Sequence, residues 1–231
     1  MPRAARGDEM EILYEDKEIT VAIKPVGMLS EQTAAGDGFA DLLAVRNEGG
    51  YVGVIHRLDR GVGGVMVYAR TPKAAAKLSA AVQARSFGKE YLAVVHGKPA
   101  EESDTLQDLL FHDRQKNKTF TVARERRGVK PASLTYTRLA TTTHPEYGEI
   151  SLLRVLLHTG RTHQIRVQFS SRAMPLVGDG KYGARDRCEI ALFCRALTFP
   201  HPTTAKPMHF EARPRGGVWD MMDESLTVVG E

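Results

Sequence analysis

The sequence predicts an α+β fold: a mixed, largely antiparallel sheet with flanking helices. From Glu90 onward, strand-like segments follow one another without alternating helices, which argues against a doubly wound parallel sheet. Helical spacing with start and stop signals is confined to a few short stretches. An apolar fraction of 42% beside a charged fraction of 26% is that of an ordinary globule able to bury a core. At 231 residues the chain is read as one large domain, 1–231.

The elements follow in order. Ile19–Lys24 is an apolar run of strand length, ended by the turn signal Lys24-Pro25-Val26-Gly27. Phe39–Arg46 sets Phe39, Leu42, Leu43 and Arg46 at helical spacing and stops at Gly49-Gly50. Gly64–Ala69 reads as a buried strand. Thr71 then caps a helix that has Pro72 at its first position, places Ala75, Leu78 and Val82 on one side, and runs to Ser86 before Gly88. Strands are expected at Glu90–His96, Lys118–Ala123, Ala132–Ala140, Glu149–Leu157, Ile190–Phe199 and Pro207–Ala212. Between them, a turn at Thr159-Gly160 opens a helix running towards Arg172.

Several function classes are excluded at this level. No apolar run reaches membrane-span length, and the start Met1-Pro2-Arg3-Ala4-Ala5-Arg6 lacks the apolar core of a signal peptide. Cys188 and Cys194 are the only cysteines, so no disulfide framework exists and a reducing cytoplasm is the simpler expectation. The net charge of +4 is modest but unevenly spread. Arg114, Lys116, Lys118, Arg124, Arg126, Arg127 and Lys130 face the single acid Glu125. Acids gather near the ends, as Asp8, Glu9, Glu11, Glu15, Asp16 and Glu18, and as Asp220, Asp223, Glu224 and Glu231. Such separation fits either a solvated hairpin or a face that attracts phosphates by counterion release.

The chemistry concentrates in three segments. In His56-Arg57-Leu58-Asp59-Arg60-Gly61, one carboxylate stands among basic side chains ahead of a strand. Asp59 has no acidic neighbour with which to share a metal. Adjacent positive charge favours its ionised, weakly basic form, which suits nucleophilic attack better than proton abstraction, although a structural ion pair has the same composition. In Lys89-Glu90-Tyr91-Leu92-Ala93-Val94-Val95-His96-Gly97, Tyr91 is either a core tyrosine or a flat ring able to stack on a base. In Gly160-Arg161-Thr162-His163-Gln164-Ile165-Arg166, a helix would turn Arg161 and Arg166 onto different faces. One arginine can then meet Asp59 and the other a phosphate. His158, His163, Cys188, Cys194 and His201 show no ligand spacing and are taken as structural or RNA-facing, with no zinc expected.

Together these segments resemble the motifs of RluA-type pseudouridine synthases, members of the RluA/RsuA superfamily. Lys24-Pro25-Val26-Gly27, Pro175-Leu176-Val177-Gly178-Asp179 and Phe199-Pro200-His201-Pro202 resemble further motifs of that family, in the same order, over about residues 12 to 214. The resemblance implies the pseudouridine synthase fold around a central RNA-binding cleft, and site-specific isomerisation of uridine in structured rRNA or tRNA. It also implies no metal and no organic cofactor. Asp59 takes the place of the catalytic aspartate, Tyr91 that of the tyrosine against the target base, and Arg166 that of the arginine paired with the aspartate. Arg57 matches the arginine that fills the stack when uridine flips out, and Arg161 is assigned to the RNA. The early first motif leaves no room for a separate S4-like RNA-binding domain, and a monomer is expected.

Two positions depart from the family. Val62-Gly63-Gly64 stands where Thr-Ser-Gly is common, and Gln168 where many relatives carry histidine. An RNA-binding or assembly factor that has lost catalysis is the alternative reading. A carboxylate glycosidase would need a second catalytic acid, and none has motif support.

Overall fold

The computed structural model describes residues 10–222. The Met1–Arg6 start and the acids Asp8, Glu9, Asp223, Glu224 and Glu231 lie outside the described residues. The chain divides into two compact units, one reaching up to Lys89 and resuming over Cys194–Arg213, the other formed by Glu90–Phe193 and the residues from Pro214 onward.

The first unit is built on strands β1 (Ile12–Glu15), β2 (Ile19–Lys24), β4 (Gly63–Ala69) and β10 (Leu192–Pro200), hydrogen-bonded in that order. The two-residue β3 (Gly53–Val54) also lies along β4, and β11 (Pro207–Glu211) along β10. β2 and β4 run antiparallel from Ile19 opposite Ala69 to Lys24 opposite Gly64. Every residue of β4 is buried, which accounts for its unbroken apolar sequence. Helices α1 (Phe39–Arg46) and α2 (Pro72–Gln83) belong to this unit. They bury Phe39, Ala40 and Leu43 from α1, and Ala74, Leu78 and Ala81 from α2. Thr71 caps α2 through its hydroxyl, which accepts the Ala74 N–H at 3.0 Å.

The second unit orders its strands β5-β9-β8-β6-β7. They are β5 (Gly88–His96), β6 (Ser103–Asp113), β7 (Lys118–Val122), β8 (Val129–His144) and β9 (Gly148–Leu157). The β5–β9, β9–β8, β8–β6 and β6–β7 pairs are all antiparallel. A core of Leu92, Val94, Ile150, Leu152, Val177 and Ala191 packs on one side of β5 and β9. Helix α3 (Gln164–Ser170) is nearly all buried, and a 3-10 turn spans Gly180–Tyr182. The α+β class and antiparallel pairing match the sequence expectation. Strands β1, β3 and β6 were not anticipated, α2 ends three residues earlier than Ser86, and α3 opens at Gln164 rather than directly after Gly160.

Candidate active site

In the first unit, Asp59 sits half-buried in the loop between β3 and β4. That loop is braced on both sides of Asp59 by the turn that follows β2. The Ser30 hydroxyl donates to Leu58 O at 2.9 Å and accepts the Leu58 N–H at 3.0 Å, so one side chain serves both backbone groups of the residue before Asp59. Gly27 N–H donates to Arg60 O, and Arg60 Nε donates back to Gly27 O, both at 2.8 Å. Asp59 O accepts the Val62 N–H at 2.9 Å, closing the turn. Carboxylate placement is thus set by backbone bonds on either side of it.

Lys24 is fully buried, and its ammonium donates to Pro25 O at 2.8 Å and Met28 O at 2.7 Å, holding the bracing turn from inside. Burial lowers its pKa, and the nearby carboxylates of Asp59 and Glu31 pull it back up, leaving it at about 8. Lys24 and Asp59 are therefore electrostatic neighbours. His56 is buried, and its Nε2 accepts the Val67 N–H at 3.4 Å. Its Nδ1 has no hydrogen-bond partner, and its ring lies 5.4 Å from that of Phe87. Burial lowers the His56 pKa to about 3, with the Lys89 charge adding to the effect. His56 is thus a neutral anchor rather than a proton carrier at physiological pH.

Within Val62-Gly63-Gly64, Gly64 is the position shared with Thr-Ser-Gly, and its backbone accounts for the glycine. Its φ is +132°, and a Cβ there would stand 2.3 Å from Cys194 O, so only glycine fits the approach of β4 to β10. Val62 is 2% exposed, an apolar core position where a hydroxyl would need a buried partner. Arg57 is exposed, 3.8 Å from Glu31 in a loose surface pair.

In the second unit, Tyr91 is 6% exposed on β5, opposite Val155 of β9. The loop before α3 is tied to β8. Thr159 Oγ1 accepts the Ser133 N–H at 2.9 Å, and Gln164 Nε2 donates to Ser133 O at 3.1 Å. Arg161 precedes the helix and donates through Nε to Pro131 O at 3.0 Å. Arg166, 6% exposed, donates through Nε to Asp179 Oδ2 at 2.7 Å and through Nη2 to Asp179 Oδ1 at 2.8 Å. The two arginines have different partners, but Arg161 lies outside the helix, so the helical spacing is not what separates them.

Around Arg166 the sequence reading overlooked a buried polar cluster. Asp179 is wholly buried. The Arg166 guanidinium lies 5.1 Å from the centre of the Tyr182 ring. The Tyr182 hydroxyl accepts the Thr119 N–H at 2.8 Å and shares a 3.0 Å hydrogen bond with His163 Nδ1. Burial raises the Tyr182 pKa, so the phenol stays protonated at neutral pH. Lys24 and Asp179 both fell inside motifs that carried the resemblance. A lysine before Pro-x-Gly or an aspartate after glycine looks solvated until folding buries it. Of the other candidates, His201 Nε2 bonds Asp16 Oδ2 at 2.8 Å, and His158 Nε2 bonds Thr135 Oγ1 at 2.8 Å.

A family model described as RNA pseudouridylate synthase matches residues 18–171. Ribosomal large subunit pseudouridine synthase D of Pseudomonas aeruginosa is 33% identical over 238 residues, covering 93% of this chain and 72% of that protein. An uncharacterized RNA pseudouridine synthase of Bacillus subtilis, YlyB, is 28% identical over 216 residues, covering 88% of this chain and 69% of the other. Among solved structures, human RNA pseudouridylate synthase domain containing 1 superposes with a TM-score of 0.77 at 19% identity, over 96% of both chains. Human RNA pseudouridylate synthase domain containing 4 does so with a TM-score of 0.71 at 22% identity, over 94% of this chain and 92% of that one. The structural likeness concerns the fold, while the sequence match carries the membership: the chain belongs to the RNA pseudouridylate synthase family, of the RluA type, and is an RNA pseudouridine synthase.

Proposed function

We propose that this enzyme isomerises specific uridines in structured RNA, with large-subunit ribosomal RNA ahead of tRNA as the substrate class, and that Asp59 is its nucleophile. The ribosomal preference rests on relatives named ribosomal large subunit pseudouridine synthase D, which are 32–33% identical in Pseudomonas aeruginosa and Vibrio parahaemolyticus. The observation that carries the Asp59 assignment is the brace around it. A solvated ion pair would not need Ser30, Gly27 and buried Lys24 to fix the backbone on both sides of one carboxylate.

In this reading the target uridine leaves the helical stack at a cost of a few kcal/mol, which favours loops and weakly paired sites. Arg57, exposed beside Asp59 in sequence, fills the vacated place, and Tyr91 packs against the flipped base. Asp59 attacks ribose C1′ or uracil C6. The N1–C1′ bond breaks, the uracil rotates, a C5–C1′ bond forms, the bond between Asp59 and the attacked carbon breaks to return the free carboxylate, the C5 proton is lost and N1 gains a proton. Arg166 addresses the Asp59 carboxylate and Arg161 an RNA phosphate through its planar fork. Exclusion of water protects the detached uracil. The enzyme works as a monomer in the cytoplasm, without metal.

The test is tritium release from RNA labelled at uridine C5, taken from cells lacking this gene, with wild-type protein and Asp59→Ala compared. Release by wild type and a loss of at least about 1,000-fold in the variant is expected, since removing a covalent nucleophile abolishes its pathway. Equal release by both proteins would sink the nucleophile assignment. Release from tRNA but not from ribosomal RNA would reverse the substrate order.

A further inference from the structure

We infer that the outer face of the β6–β7–β8 ladder is a further RNA contact, a platform on which an unpaired stretch of the substrate strand lays its bases. The inference rests on RNA being the substrate and not on which residue attacks the uridine. The registers place Phe120, Phe111 and Val129 in one row across the strands, and Val122, Leu109 and Pro131 in the next. Residues in register share a face, so these side chains form one apolar surface. Alternate residues point the other way. Among them, Leu110 and Ala132 are each 3% exposed and pack with Val167 of α3 and Tyr182. In the outer rows none of the side chains is buried, and Phe120 is 38% exposed.

The chemistry around the rings selects the occupant. The Arg126 guanidinium lies 5.0 Å from the centre of the Phe111 ring, and the Lys118 ammonium 5.8 Å from that of Phe120. Arg124, Arg127 and Lys130 stand exposed on the adjoining loop and strand. Asp113, two residues along from Phe111, is taken up in the hairpin turn, where its Oδ1 accepts the Gln115 and Lys116 N–H groups at 3.0 and 3.1 Å. A protein interface depletes charge at its core, whereas a single-strand site alternates ring faces for bases with cations for phosphates. The guanidinium over Phe111 is itself a flat surface on which a base stacks. The free edge of β7 is closed at Thr119, whose N–H donates to the Tyr182 hydroxyl and whose hydroxyl donates to Thr162 O, both at 2.8 Å. Addition of a partner's strand is obstructed there, while the ring-bearing face stays open. A paired stem hides its base faces, so the platform favours loops and opened strands.

Binding is read by fluorescence anisotropy of a labelled oligouridylate about nine nucleotides long, within the span of a single-strand site, with an abasic ribose-phosphate oligomer of equal length as the base-free control. In the full chain, Phe120→Ala and Phe120→Leu should each weaken oligouridylate binding about 5- to 20-fold and leave the abasic oligomer within about twofold. The slope against log salt should stay at the wild-type value, because a ring contact releases no counterion. Phe120→Trp should bind at least as tightly as wild type. Leucine keeps an apolar side chain opposite Phe111, so a loss at unchanged melting temperature separates stacking from folding. Oligouridylate binding by Phe120→Leu equal to wild type would overturn the inference. So would an equal loss for both oligomers, or a wild type that does not prefer the oligouridylate. A concentration-dependent dimer in sedimentation that Phe120→Leu abolishes would give the face to a second copy of this chain instead. Tritium release by Asp59→Ala leaves all of these outcomes untouched, so the platform and the nucleophile assignment fail separately.

Discussion

At the scale of single residues, the site depends on polar groups whose burial makes them exacting. His56 shows this most simply. Its pKa near 3 when folded lies below the ordinary histidine value, so the unfolded chain binds a proton that the folded one refuses. The stability this residue permits is fully present above about pH 6.5 and is lost as pH falls towards 3, by up to about 1.4 kcal/mol per pH unit. Urea melts at pH 7 and pH 4.5 should therefore converge in His56→Gln relative to wild type. An unchanged acid sensitivity in that variant would place the protonation elsewhere. Lys24 follows the same logic in a different window, since its lowered pKa leaves a buried ammonium whose carbonyl bonds hold the turn that supports Asp59.

At the scale of elements, the agreement and the misses both have physical causes. Helix α1 and the buried strands β2 and β4 could be read because turn residues bound them and their apolar patterns are unambiguous. Strand β6 was missed because Leu106, Leu109 and Leu110 in Ser103–Asp113 are spaced like a helix face, yet hydrogen bonding to β8 and β7 on either side overrides local preference. The four-residue β1 and two-residue β3 are too short to show a period. The end of α2 was placed late because glycine was taken as the stop, whereas Arg85 itself turns left-handed at φ +59°. Arg85→Gly should then raise stability by about 0.5–1 kcal/mol, read as a higher melting temperature, because glycine adopts that φ without strain. A lowered melting temperature would mean that the arginine side chain contributes more than the backbone loses. In the site, Asp59, Tyr91 and the arginines were legible as motif letters. Lys24, Ser30, Asp179 and Tyr182 were not, because their value lies in contacts across 28 residues for Ser30 and Leu58, or 13 for Arg166 and Asp179.

At the scale of the whole molecule, charge is sorted rather than balanced. Arg114, Lys116, Arg124, Arg126, Arg127 and Lys130 are exposed around the β6–β7 hairpin and the loop to β8, and Arg126 stacks 5.0 Å over the Phe111 ring. A net charge of only +4 would not make the protein a strong polyanion binder, but a cluster at one sheet edge acts locally within a Debye length. Replacing Arg124, Arg126 and Arg127 together by glutamate should weaken RNA binding and flatten its dependence on log salt by about 2–3 units of slope, with the fold's melting unchanged. A slope equal to wild type would show that RNA meets another face.

The reciprocal bonds between Ser30 and Leu58 also bear on how such an enzyme can be altered. One hydroxyl stands in for a whole neighbouring strand, giving the loop before Asp59 the rung a sheet would have supplied. The loop that carries Asp59 is therefore a part made of two pieces distant in sequence. Grafting His56-Arg57-Leu58-Asp59 onto another scaffold would carry the carboxylate but leave its mounting behind, and any recombination breakpoint falling between residues 30 and 58 would separate them.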